Sequence, residues 1–184
     1  MSSLEDIENL ESGEVVFLKL KSDDLRQISM DLTERILENG DLVIYLSFTK
    51  QASKLKDILE DRDVNVKQVL FFDCLTKSIG TAPDRAENTV FFQPSGLTNI
   101  QMKLEDAIES IPEDRKGYII LDSVDAATTY NEEKTLRKFI KSITAKMRSW
   151  DAQSVLIGLE EGMDSGMEGE LKKSTEETME IELD

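Results

Sequence analysis

Between Val15 and Leu159, short continuous apolar runs alternate with segments whose apolar residues recur every three or four positions. The runs Val15–Leu20, Leu42–Phe48, Val69–Asp73, Thr89–Phe92, Tyr118–Asp122 and Val155–Leu159 read as strands. The periodic segments read as amphipathic helices. The first spans about Asp23 to Glu38, with Leu25, Ile28, Leu32 and Ile36 on one face and Asn39-Gly40 as its stop. A second covers about Lys50–Asp61. A third carries Leu97, Ile100, Leu104, Ile108 and Ile111, starts near Ser95 and ends at Pro112. The longest, Glu132–Trp150, buries Leu136, Phe139, Ile140, Ile143, Met147 and Trp150. Strands apolar along their whole length belong to sheets covered on both faces, so the pattern predicts an α/β fold, a three-layer αβα sandwich around a mainly parallel sheet. One domain over residues 1–184 accommodates these elements, with an acidic N-terminal segment at 1–12.

The tail, 160–184, is less decided. Gly162, Gly166 and Gly169 among acids point to a flexible excursion, whereas Met179, Ile181 and Leu183 alternate with Glu180 and Glu182 as in a half-exposed strand. The segment is thus either a disordered acidic tail or an edge strand near 178–183.

Charge sharpens the picture. The net charge is −16, and half of it lies in Glu160–Asp184, where ten acids face two lysines. Such a field opposes general attraction to nucleic acid or anionic membrane. Asn131–Trp150 reverses the balance, with six basic residues against two acids. Lys134, Lys138 and Lys141 fall at helical spacing and define a cationic row suited to an acidic partner. There is no histidine, which removes His-based triads and His metal sites. The lone Cys74 permits no internal disulfide and has no neighbouring base, so it reads as an inert core thiol in a cytoplasmic protein. No apolar run reaches the length of a membrane helix.

The turn after the first strand is the main chemical clue. Lys19-Leu20-Lys21-Ser22-Asp23-Asp24 contains no glycine. A phosphate cradle needs backbone N–H groups turned inward by a Gly-rich loop, with Lys ahead of Ser or Thr. Lys21-Ser22 imitates only the end of such a motif. Asp23 and Asp24 would place carboxylates at the helix start, capping its free N–H groups together with Ser22 and repelling a polyphosphate.

In order and spacing these pieces resemble the RecA/KaiC-type ATPase domain, particularly archaeal KaiC-like proteins. Ser12–Leu18 is similar to that family's glycine-then-strand lead-in to the P-loop, and Leu42–Phe48 with Ala52, Ser53 and Leu55 to its second strand and helix. Tyr118-Ile119-Ile120-Leu121-Asp122-Ser123 is similar to the Walker B strand. The resemblance implies a RecA-like topology and a nucleotide site, but the Walker A glycines are missing. The family's catalytic acid after the second strand falls at Thr49 and Lys50, neither of which is a usable base at neutral pH. Asp122, which would help hold Mg²⁺ in an active relative, is left without phosphate to complete a metal shell. Asp122, Ser123 and Asp125 lie at a strand's carboxyl end, where open α/β sheets place ligand crevices. Asp73 ends a strand on the same sheet edge as Asp122 and is expected to be structural.

The expectation is therefore an inactive ATPase homologue, with no catalytic, cofactor or metal residues, acting as a protein-interaction or regulatory module. Self-association or a protein partner is expected, and nucleotide, nucleic acid and membrane are not. The alternative is a nucleotide sensor or ATPase in which Lys19 or Lys21 contacts phosphate.

Overall fold

The computed structural model, which describes residues 2–183, turns each of these apolar runs into a parallel strand. A helix α1 (Leu4–Glu8) precedes β1 (Val15–Leu20), α2 (Leu25–Glu38), β2 (Leu42–Ser47), α3 (Ala52–Glu60) and β3 (Val69–Asp73). The chain continues through α4 (Thr76–Ile79), β4 (Thr89–Phe91), α5 (Leu97–Glu109) and β5 (Gly117–Asp122). It ends with α6 (Val124–Ala127), α7 (Glu133–Ser149), β6 (Gln153–Leu159), α8 (Ser165–Ser174) and β7 (Glu177–Glu180). The seven strands form one sheet in the order β4-β3-β2-β5-β6-β1-β7. All its pairings are parallel.

Two apolar layers follow from the period-two alternation of strand side chains. Val16, Leu18, Val43, Tyr45, Tyr118 and Ile120 pack under Ile28, Leu32 and Ile36 of α2 and Leu55 and Leu59 of α3. Phe17, Ile44, Leu46, Ile119, Leu121 and Leu156 pack under Ile100 and Leu104 of α5, Leu136, Ile140 and Ile143 of α7, and Met167 and Leu171 of α8. Trp150 is half-buried at the end of α7 rather than part of its fully buried stripe.

Both acidic termini are more structured than their composition predicts. Ser3 donates its N–H to the Asp6 carboxylate at 2.6 Å, starting α1, and Ile7 is fully buried against the sheet layer. The Tyr118 hydroxyl donates to the Glu8 carbonyl at 2.9 Å, and Arg35 pairs with Glu8 at 2.8 Å. In the tail, the glycine-bearing stretch is helical. Asp164 caps α8 by accepting the Met167 N–H at 2.8 Å, and Met167 and Leu171 supply a buried stripe one turn apart. The strand that follows is shorter than the alternation implied and lies parallel to β1, with Met179 opposite Leu18.

Gly13 fixes how the chain enters β1. Its φ is +82°, and a Cβ there would stand 2.7 Å from the Arg148 carbonyl oxygen. Gly13→Ala is expected to cost about 2 kcal/mol from left-handed strain and the backbone clash. Urea unfolding checks this: the midpoint should fall with the slope unchanged.

Candidate functional site

The carboxyl ends of β1, β2, β5 and β6 meet at one end of the sheet, the position open α/β sheets use for ligands. The β1–α2 turn, the Thr49-Lys50 segment, Asp122 and the Leu159–Met163 turn lie at this end.

At the β1–α2 turn, the expected cap is absent. Asp24 precedes α2 with helical backbone angles (φ −90°, ψ −18°) and makes no side-chain bond to the helix start. A cap needs an extended residue whose oxygen can reach back to the N–H groups of the first turn. Asp23 is exposed. The aspartates therefore do not satisfy the helix N-terminus, and Ser22 is committed elsewhere. Its hydroxyl donates to Glu161 at 2.8 Å, and its N–H lies 3.2 and 3.3 Å from the two Glu161 oxygens. These bonds favour the charged carboxylate, so Glu161 is held below the usual glutamate range, with the Ser22 hydroxyl the largest cause.

The two lysines of this stretch are also engaged by the tail. Lys19 pairs at 3.0 Å with Glu168 of α8, which also meets Lys172 at 3.1 Å. The Glu168 hydrogen bond raises the Lys19 pKa and lowers that of Glu168. Lys21 meets Glu182 at 2.9 Å beyond β7, an exposed pair that adds little energy but occupies the ammonium. Glu161, Glu168 and Glu182 thus face the donors that a phosphate would require.

Asp122 lies opposite Ser47 of β2 and is almost fully buried. The Tyr45 hydroxyl donates to its Oδ2 at 2.5 Å. Among the described residues its Oδ1 has no hydrogen-bond partner, and neither has the buried hydroxyl of Thr49. Burial pushes the Asp122 carboxyl up to about 6, against opposing contributions from the Tyr45 hydrogen bond and the Lys50 charge. The same burial, reinforced by Asp122, drives the Tyr45 phenol well above its ordinary value.

The rest of the predicted acidic cluster does not converge. The Ser123 hydroxyl accepts the Ala126 N–H at 3.3 Å, capping α6. Asp125 turns to β6, where its Oδ1 accepts the Leu159 N–H at 2.9 Å. Gly162 lets that chain pass, since a Cβ there would sit 2.7 Å from Asp125 Oδ2. Among the described residues, no three acidic or thiol side chains are grouped to hold a metal ion.

Asp73 is structural. It accepts the N–H groups of Ala52 (2.9 Å), Leu75 (3.0 Å) and Thr76 (2.8 Å), and the Thr76 hydroxyl at 2.6 Å. One carboxylate thereby ties the start of α3 to the turn after β3. Cys74 is buried, and desolvation raises its thiol pKa far above the reactive range, so it behaves as a core residue.

The cationic face of α7 divides in two. Arg137 meets Glu133 at 3.5 Å, Lys146 meets Glu105 at 3.2 Å and Arg148 meets Glu176 at 2.6 Å. Lys134, Lys138 and Lys141 are exposed. No salt bridge engages these three among the described residues.

Neither a protein-family model nor a curated protein sequence matches the chain. Solved structures do. A KaiC-like protein, PH0186, from the hyperthermophilic archaeon Pyrococcus horikoshii OT3 superposes with a TM-score of 0.66 at 10% identity, covering 93% of this chain and 73% of that one. The uncharacterised protein PH0321 from Pyrococcus horikoshii, solved in complex with an unknown peptide, gives a TM-score of 0.74 at 12% identity, covering 96% of this chain and 80% of that one. The fold is therefore KaiC/RecA-like. Among the described residues, no helix is long and apolar enough to cross a membrane.

Two outcomes test this geometry. A carboxyl raised to about 6 from an ordinary 3.8 favours its protonated form in the fold. Its stabilising effect is complete below the unfolded value and is lost as pH rises through 6, a change on the order of 3 kcal/mol. Asp122→Asn keeps an oxygen for Tyr45 and removes the ionisation, so its stability relative to wild type should improve between pH 4 and 7 by roughly that amount. Urea unfolding across this range measures it, and a pH-independent difference would contradict it. Asp73→Ala strands three buried or half-buried N–H groups and should cost about 3 kcal/mol in the same assay at pH 7.

Proposed function

We propose that this KaiC/RecA-like domain does not hydrolyse nucleotide and acts as a protein-interaction or regulatory module. One observation carries the reading. The Ser22 N–H and hydroxyl, at the position of a phosphate loop, are bonded to the chain's own Glu161. A polyphosphate would have to displace that carboxylate and approach Glu168, Glu182, Asp23 and Asp24 without a glycine loop to compensate. Hydrolysis also lacks a base, because the segment after β2 offers Thr49 and Lys50 where an acid is needed.

The interaction half of the proposal rests on surface charge. Lys134, Lys138 and Lys141 form a cationic row, free of salt bridges among the described residues, on a protein of net charge −16. An acidic protein surface complements this row, and the Glu-rich tail of a second copy is one such surface. The unknown peptide bound to PH0321 lends support, since it places a polypeptide ligand on a molecule of this fold.

A melting experiment with Mg-ATP tests the inactive site. Ligand at a hundredfold excess over its Kd would add about 2.7 kcal/mol and raise Tm by several degrees. The expected result is no shift at millimolar Mg-ATP. A rise of several degrees that Asp122→Ala abolishes would replace this reading with that of a nucleotide sensor.

A further inference from the structure

The outer edge of the sheet at β7 is open. Among the described residues this strand pairs with β1 alone, from Val16 opposite Glu177 to Lys19 opposite Glu180, and no further strand lies beyond it. Alternate N–H and C=O groups along it therefore point away from β1 without a strand to receive them. Beside this edge runs a groove of about 750 Å³, bounded on its far side by Ser2, Asp6, Asn9 and Leu10 of the α1 segment.

Sheet edges are commonly protected by short strands, charged side chains, proline or a covering element. Here the flank is acidic: Asp6, Glu14, Glu177, Glu180 and Glu182 line the groove, and no lysine or arginine does. Asp6 and Glu14 accept the N–H groups of Ser3 and Glu11, and Glu182 meets Lys21. Glu177 and Glu180 are exposed, and no salt bridge holds either one among the described residues. Leu10 and Met179 are buried beneath and supply apolar contact. A second copy presenting the same edge would be repelled, because carboxylate would face carboxylate. Open main-chain groups call for an extended chain, and the unpaired carboxylates of Glu177 and Glu180 on β7 call for one carrying positive charge.

We propose that the β7 edge and its groove are a docking site for an extended, Lys- or Arg-bearing segment of a partner protein, which adds to the sheet as the strand beyond β7. The proposal rests on the interaction-module reading and supplies a surface and a partner chemistry distinct from the cationic row of α7.

The test is fluorescence anisotropy of the full chain with a labelled peptide of alternating lysine and valine. Binding should be saturable, should weaken as salt rises and should be absent for the glutamate–valine counterpart. Glu177→Lys with Glu180→Lys should weaken it about tenfold or more. Two further peptides carry N-methyl groups either on all lysine or on all valine nitrogens. Strand addition uses one edge of the peptide, so one of these should bind and the other should fail. No binding of the parent peptide, or equal binding of both methylated forms, would overturn the proposal. Should the double variant fail to fold, the methylated peptides decide on the wild-type chain. Failure here leaves the Mg-ATP result untouched, whereas an ATP-dependent rise in Tm would strike the interaction-module reading itself.

Discussion

The bond between Glu161 and Ser22 joins the turn after β1 to the segment after β6, two parts of the chain that are distant in sequence. Around it the acidic C-terminal segment is folded onto β1: Glu168 reaches Lys19 from α8, and β7 completes the pairing along Val16–Lys19. Glu176 reinforces the arrangement by accepting the Val15 N–H at 2.7 Å while pairing with Arg148 of α7. Three donors at this end of the sheet, Lys19, Lys21 and Ser22, are thus matched to internal carboxylates. Individually the exposed pairs are weak, but together they place negative charge against Lys19, Lys21 and Ser22.

A second constraint acts deeper in the same region. Asp122 is kept in the sheet with one oxygen bonded to Tyr45 and the other without a partner among the described residues. A buried carboxyl in that state resists ionisation. Asp73, one strand beyond β2, accepts four hydrogen bonds and fixes two turns. Two similar aspartates at the carboxyl ends of the strands on either side of β2 thus have different fates, decided by how many N–H groups the following turn directs at each.

The sheet was legible because continuous apolar runs such as Tyr118–Leu121 admit little besides a doubly covered strand. Helices α2, α3, α5 and α7 were legible from their periodicity. α8 was not, since Gly166 and Gly169 lower helix propensity, although Asp164 followed by Met167 and Leu171 carries the capping and spacing signal. α1 escaped for a similar reason: five residues give too little periodicity to detect, and Ser3 with Asp6 was the available cue. At the site, the lack of a glycine loop and the structural part of Asp73 could be read directly. The partner of Ser22 could not. Asp23 and Asp24 were the nearest carboxylates in sequence, but the backbone at Asp24 is helical and the carboxylate that arrives comes from Glu161. Which of many acids meets a given donor is settled by the path of the whole chain.

In the proposed reading, the β1–α2 turn carries its own anion, Glu161, where a phosphate would otherwise bind. Amide NMR of the Ser22–Leu25 stretch during addition of Mg-ATP tests it most directly. The account predicts that these resonances stay in place at millimolar nucleotide. Saturable movement of the Ser22 amide at micromolar nucleotide, as Glu161 gives way to phosphate, would contradict it.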